Sequence, residues 1–185
     1  MVAYAIYNQS NSDSTKLINN LKQISKKANI ILYRDKRNRD YSEFAKLFIE
    51  EARKLNFEKI LIHQDIDLAC LLKADGVHLT SKQIDIVPKA KFFKLFTVVS
   101  THSLSEVKEA ERLGADMITF SPIYETPNKG RAKGIEALKE IVSRVNIPVI
   151  ALGGILTQEQ IEECRSAGAK GFASIRYFLD SENNV

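Results

Sequence analysis

The segment Ile147-Pro148-Val149-Ile150-Ala151-Leu152-Gly153-Gly154-Ile155, followed one helical pattern later by Gly171-Phe172-Ala173-Ser174-Ile175-Arg176, decides the fold of this chain. Each is an apolar run of buried-strand length that ends where exposed backbone N–H or polar groups begin. Working outward, six similar runs precede them, at residues 3–7, 29–33, 59–62, 76–79, 94–99 and 116–120. Between most of the runs lie helical patterns, such as Phe44, Leu47, Phe48, Ala52 and Leu55 on one face, or Val107, Ala110 and Leu113 on another. Ser103-Leu104-Ser105-Glu106 and Thr157-Gln158-Glu159-Gln160 read as capping boxes. Gly114 and Gly168 sit where a left-handed residue ends a helix. A weak repeat joins helix end, turn and strand at Lys73-Ala74-Asp75-Gly76, Gly114-Ala115-Asp116 and Gly168-Ala169-Lys170-Gly171.

Strict alternation of strand and helix implies an α/β protein with a parallel sheet, and eight strands favour closure into a (β/α)8 TIM barrel. In such a barrel the loops after strands 7 and 8 form a phosphate cup, and Gly153 and Gly154, lacking Cβ, would let a phosphate approach their amides. A tight turn is the other reading of that glycine pair. At 185 residues the chain is expected to be a single barrel domain, 1–185, with trimmed loops, since ~250 residues is usual for this fold. Too little chain follows residue 176 for a full eighth helix. The truncated end leaves the seam between strands 8 and 1 under-covered, which makes Tyr177, Phe178 and Leu179 a candidate homodimer surface.

Composition narrows the partners. The chain has 27 Lys and Arg against 23 Asp and Glu, a formal +4, and the charges are dispersed. No basic and aromatic cluster suggests nucleic acid. No apolar run of ~18 residues suggests a membrane span and no leader pattern opens the chain, so a cytoplasmic location is expected. The only cysteines, Cys70 and Cys164, fall in apolar helical patterns without metal-ligand spacing and read as buried thiols. No metal site is expected from these residues.

Polar groups gather at the C-terminal ends of the strands, where barrels of this kind carry their chemistry. The three histidines, His63, His78 and His102, all fall there, with Ser100 beside the last. His102 directly precedes the capping Ser103 and is the leading candidate proton carrier, with His63 as its backup. A structural hydrogen bond to a neighbouring loop is the alternative for His102. Arg34 and Lys36 alternate onto one face beyond strand 2, suited to clamping a phosphate or to pairing with Asp35 or Asp40. Lys129, Arg131 and Lys133 lie in a Gly-bounded loop, either a lid over an anion or a solvated turn.

Four stretches carry a resemblance: Ala74-Asp75-Gly76-Val77-His78-Leu79, Val99-Ser100-Thr101-His102, Phe120-Ser121-Pro122-Ile123-Tyr124-Glu125-Thr126-Pro127-Asn128-Lys129, and the segment 147–155. Together they make the chain similar to the thiamine phosphate synthase/TenI superfamily, whose fold is the (β/α)8 barrel. Its synthases join a hydroxymethylpyrimidine diphosphate to a thiazole phosphate and release diphosphate with the help of magnesium. Its TenI branch aromatises the thiazole phosphate or has no settled activity. The resemblance implies a phosphate cup at Gly153, Gly154 and Ser174, where Arg176 either adds a charge-assisted contact to the phosphate or blocks the cup by occupying it, and substrate contacts from Arg34, Lys36, Ser100, Thr126 and Lys129.

Departures from the pattern separate the branches. Leu32 stands where synthases resemble a pyrimidine-binding Gln, and His63-Gln64 replaces an Asn-Asp pair whose Asp holds magnesium. Gln83 replaces the second magnesium Asp, with Asp65 and Asp85 nearby as substitutes only after a shift of register. Neutral amides are poor ligands for a hard dication. Pro122 occupies the position of the TenI histidine, and Arg176 replaces a phosphate-site Ser. The expectation is a TenI-like protein that binds thiazole phosphate or thiamine phosphate and acts on it as a tautomerase through His102 or His63, without a cofactor. Two alternatives stand beside it: a genuine thiamine-phosphate synthase with altered metal ligands, requiring magnesium, and a non-catalytic regulator that binds the phosphate ligand.

Overall fold

The structure, a computed structural model, describes residues 1–8, 14–35, 40–127 and 129–179. Eight strands run in parallel: β1 (Val2–Tyr7), β2 (Ile30–Tyr33), β3 (Lys59–His63), β4 (Gly76–Leu79), β5 (Phe96–Thr101), β6 (Met117–Phe120), β7 (Val149–Leu152) and β8 (Gly171–Ser174). They pair in sequence order and close, with β1 between β8 and β2. The helices are α1 (Ser14–Ile24), α2 (Tyr41–Ala52), α3 (Ile66–Leu71), α4 (Val87–Phe92), α5 (Leu104–Arg112), α6 (Gly134–Ser143) and α7 (Gln158–Ser166). The (β/α)8 barrel expected from the alternation is therefore present.

Strands covered on both faces explain the unbroken apolar runs. Tyr4, Leu32, Leu61, Val98 and Ile150 face inward and fill the barrel, while Ile31, Ile62, Val99 and Ile118 pack outward under the helices. At the N-terminal end of the barrel, a polar residue just before one strand caps the start of the preceding one. Asn29 Oδ1 accepts from the Ala3 amide at 3.0 Å, Asp75 Oδ2 from Ile60 at 2.7 Å and Asp116 Oδ2 from Thr97 at 2.7 Å. In two copies of the weak sequence repeat the aspartate, Asp75 or Asp116, thus ties neighbouring βα units together at the stabilising end of the barrel.

The boundaries shift in places. Residues 81–86 form a 3-10 turn that leads into α4, so the fourth helix reaches Phe92. β5 starts at Phe96 because Lys94, with φ 59°, ends the helix in a left-handed turn. Thr157 and Gln160 make a complete capping box, whereas Ser103 caps α5 alone, because the Glu106 carboxylate accepts from the His102 amide. The C-terminal seam corrects an expectation. Phe178 and Leu179 are buried, and the Phe178 ring stacks on Phe172 with centroids 5.6 Å apart. These two side chains cover the seam from within the chain, while Tyr177 is half-buried. No helix among the described residues is long and apolar enough to cross a membrane.

Gly76 shows how tight closure is. A Cβ there would run into the carbonyl oxygen of Phe96 and lie 2.8 Å from Leu61 Cδ2. Gly76→Ala is expected to destabilise the barrel by about 1–3 kcal/mol through overpacking. Urea unfolding monitored by far-UV circular dichroism reads that loss directly, and an unchanged midpoint would mean that β4 and β5 can separate freely.

Candidate active site

A cavity of about 270 Å³ opens at the C-terminal end of the barrel. Its floor is apolar, formed by Ile6, Leu32, Leu152, Ala173 and Ile175, and its rim carries Arg34, Lys129 and Arg176. The structure brings together there nearly every sequence-predicted site residue: His63, Ser100, His102, Thr126, Gly153, Gly154 and Ser174 line the same space. Lys36 lies outside the described residues. Burial lowers the Arg34 guanidinium from its ordinary value, a sign of incomplete hydration that an anionic ligand would offset.

Gly153 and Gly154 form a turn with φ of 103° and 70°, a region that suits glycine. The Gly153 amide continues the β7–β8 pairing toward Ala173, while the amides of Gly154 and Arg176 donate to no group among the described residues. Two such amides on the rim of one cavity suit a phosphate. The missing Cβ atoms also allow a neighbouring loop to pack closely. A Cβ on Gly153 would lie 2.8 Å from Pro122 Cα, and one on Gly154 would lie 2.7 Å from the Glu125 carbonyl oxygen. The 122–125 loop lies against the turn, and the Ile123 and Tyr124 amides donate to the Leu152 and Gly153 carbonyls at 2.9 and 3.0 Å. Ser174 lines the cavity as well. Its hydroxyl donates to the Ile155 carbonyl at 3.0 Å and accepts from the Tyr177 amide at 3.2 Å, so it braces the cup from behind.

The loop after β6 splits its cations. Lys129 lines the cavity, while Lys133 lies over the Phe120 ring at 5.7 Å and Arg131 points to solvent. The loop is fastened at its far end, where the Lys133 and Gly134 amides donate to Pro122 and Ile123. Pro122 is buried beneath Gly153, so no titratable group stands at the TenI histidine position.

The histidines have distinct states. His102 is exposed, and its Nδ1 lies 3.0 Å from the Ser121 carbonyl oxygen. A carbonyl only accepts, so Nδ1 is the donor in this contact. His63 and His78 are register neighbours on β3 and β4, with ring centroids 6.3 Å apart. His78 is fully enclosed. Burial first, then the nearby His63 and Arg34, push its pKa down from 6.5 to about 3. Both of its nitrogens are engaged, Nδ1 with Tyr4 Oη at 2.7 Å and Nε2 with Ser100 Oγ at 2.9 Å.

Magnesium is implied by resemblance to the synthase branch, and the donors at the corresponding positions do not fit it. Gln83 Oε1 accepts from Thr80 in a capping box, and its Nε2 donates to the Gln64 carbonyl at 3.2 Å. A carboxylate at 83 could not make that last bond, so the amide is matched to a structural role. Of the nearby carboxylates, Asp65 caps α3 by accepting from Leu68 at 2.8 Å, Asp67 pairs with Lys89 at 2.9 Å and Asp85 is exposed. Among the described residues no group of three His, Cys, Asp or Glu side chains is placed to hold a metal ion.

Sequence reasoning passed over Tyr4, whose hydroxyl is polar business inside an apolar strand. It also passed over the apolar floor, because Ile6, Leu152 and Ile175 read simply as core.

The sequence profile of the thiamine monophosphate synthase family matches residues 3–178. Aquifex aeolicus thiamine-phosphate synthase 1 is 35% identical over 153 residues, 76% of this chain and 70% of its own length. A second Aquifex aeolicus relative is 44% identical over 124 residues, 65% of this chain, and the match spans about two thirds (66%) of that relative. Among solved structures, thiamine phosphate pyrophosphorylase from Pyrococcus furiosus superposes with a TM-score of 0.81 at 26% identity, covering 98% of this chain and 90% of that one.

Two measurements probe this geometry. Gly154→Ala puts a side chain at positive φ against Tyr124 and Glu125, so unfolding stability should drop by about 1–3 kcal/mol, with loss of phosphate-ligand binding. Unchanged stability would mean that the loop and turn are not interlocked. The second uses pH. Above pH 6.5 His78 is neutral whether folded or not. Below it the unfolded chain takes up a proton that the folded ring refuses until pH nears 3. Stability should therefore fall by about 1.4 kcal/mol per pH unit from this residue alone. His78→Gln should remove that slope between pH 6 and 4 in urea titrations; parallel profiles would show that the buried ring protonates.

From the profile match and the homologous structure together, this chain belongs to the thiamine monophosphate synthase family.

Proposed function

We propose that the chain performs the synthase reaction of its family, joining a thiazole phosphate to a hydroxymethylpyrimidine diphosphate. The observation that carries this reading is the anion cavity itself. Gly154 and Arg176, whose amides donate to no group among the described residues, line the same space as the cations Arg34 and Lys129. Such a site suits two phosphorylated reactants, one held by backbone N–H groups and the other by side-chain cations. The thiazole nitrogen would attack the pyrimidine methylene carbon, and the bond to diphosphate would break with its electron pair leaving on oxygen. Positive side chains stabilise that departing charge. The names of the relatives support this reading over the aromatising one that the sequence alone placed first, and the buried Pro122 points the same way.

The cations of the chain meet the diphosphate in this proposal without a carboxylate-held dication. The test supplies both substrates and follows thiamine phosphate by chromatography, with magnesium and with EDTA. Product is expected in both conditions. Turnover that EDTA abolishes would restore a metal requirement, and no turnover in either condition would remove the synthase reading.

A second reading keeps one specific observation on its side. His102 stands at the cavity wall with Nδ1 held by the Ser121 carbonyl, which leaves Nε2 as the ring nitrogen available for proton exchange with a thiazole phosphate. In that case wild-type protein accelerates aromatisation, and His102→Asn slows it at least tenfold with nearly unchanged ligand affinity.

A further inference from the structure

Tyr4, His78 and Ser100 come from β1, β4 and β5 and meet inside the barrel. Tyr4 is fully buried, and its hydroxyl has one hydrogen-bond partner among the described residues, His78 Nδ1 at 2.7 Å. His78 Nε2 in turn lies 2.9 Å from Ser100 Oγ, and Ser100 lines the anion cavity. The distances alone permit two directions of donation. In one, Ser100 donates to Nε2 and Nδ1 donates to Tyr4, which strands the phenolic proton in the apolar core. In the other, Tyr4 donates to Nδ1, Nε2–H donates to Ser100, and the serine proton is left facing the cavity. Only the second satisfies every buried polar group.

We propose that Tyr4 and His78 are positioning residues that lock the Ser100 hydroxyl as a donor to a phosphate or diphosphate oxygen in the cavity. The chain runs one way. Tyr4 cannot ionise near neutrality, since burial raises its pKa well above 10, and burial likewise keeps His78 neutral. The His78 tautomer is therefore set by Tyr4, and with it the direction of the serine proton. Ser100 thereby adds a neutral, directed donor to a rim whose other donors are cations and backbone amides. Neither nitrogen of His78 is left to shuttle a proton, so its role is orientation.

This inference rests on reading the cavity as an anion site and not on turnover, so its test is a binding measurement. Inorganic pyrophosphate is titrated into the full chain by calorimetry in metal-free buffer. Tyr4→Phe and Ser100→Ala should each weaken binding at least threefold, and the double variant should be no weaker than Ser100→Ala alone. His78→Gln can accept through its oxygen and donate through its nitrogen, so it should stay within twofold of wild type, while His78→Leu should match Ser100→Ala. If His78→Leu does not fold, the Tyr4–Ser100 cycle decides alone. Wild-type affinity in Tyr4→Phe, losses that multiply in the double variant, or no pyrophosphate binding by wild type would each overturn the proposal. Pyrophosphate binding with the expected coupling but no thiamine phosphate formation would uphold it while removing the synthase reading.

Discussion

Closure of β8 onto β1 is the constraint on which the remaining geometry hangs. Val2 to Ala5 lie in register with Gly171 to Ser174, and a Cβ on Gly171 would collide with the Val2 carbonyl oxygen. Because the strands come this close, the interior is narrow, and a few inward side chains from each strand fill it. Tyr4 lies beside Ala173 in that register. The small alanine leaves room for a phenol, whose hydroxyl reaches across to His78. An open sheet would put β1 and β4 three strands apart with no shared interior.

The cup at the other side of the rim depends on a second close approach, between the 122–125 loop and the Gly153-Gly154 turn. Here the backbone supplies the donors and the loop supplies rigidity. Preorganised N–H groups need no reorganisation when an anion arrives, which is why a turn held this firmly suits a phosphate better than mobile lysines would. Ser174 contributes from behind, spending its hydroxyl on the Ile155 carbonyl so that the two rim segments keep their spacing.

Legibility in the sequence followed the range of the interactions. All eight strands could be read because burial on both faces leaves an unbroken apolar run. Their ends were less legible. Lys94 in a left-handed turn and the 3-10 turn at 81–86 reflect local backbone choices that hydrophobic pattern does not encode. The gathering of the candidate site residues in one cavity was legible because barrel topology brings strand ends together. What their side chains do there was harder to read. The partners of the Ser174 hydroxyl and the packing of the 122–125 loop against the glycine pair come from segments distant in sequence, so no local pattern shows them. Tyr4 was invisible as a polar residue, since nothing local distinguishes a tyrosine whose hydroxyl crosses a barrel from one that fills space. Phe178 and Leu179 misled for the same reason: exposure was inferred from a missing helix, whereas the residues themselves fold back onto Phe172.

The exchange of carboxylates for amides on the β3–β4 side has a simple electrostatic reading. In the pattern that the family resemblance implies, two carboxylates hold a dication, and their charges cancel. Replacing both with Gln64 and Gln83 removes that whole neutral unit and leaves the surrounding field close to what it was. A single replacement would have left an uncompensated charge beside the cavity, worth about 4 kcal/mol per contact at ~4 Å in a medium of effective dielectric ~20. The Gln83 amide also gains a bond that a carboxylate could not make, from its Nε2 to the backbone carbonyl of residue 64, which joins the end of β3 to the turn after β4. The mechanical link that a shared metal would supply between those two segments is thus carried by a hydrogen bond. The attraction for an anion falls to Arg34, Lys129 and Arg176, none of which the exchange disturbs.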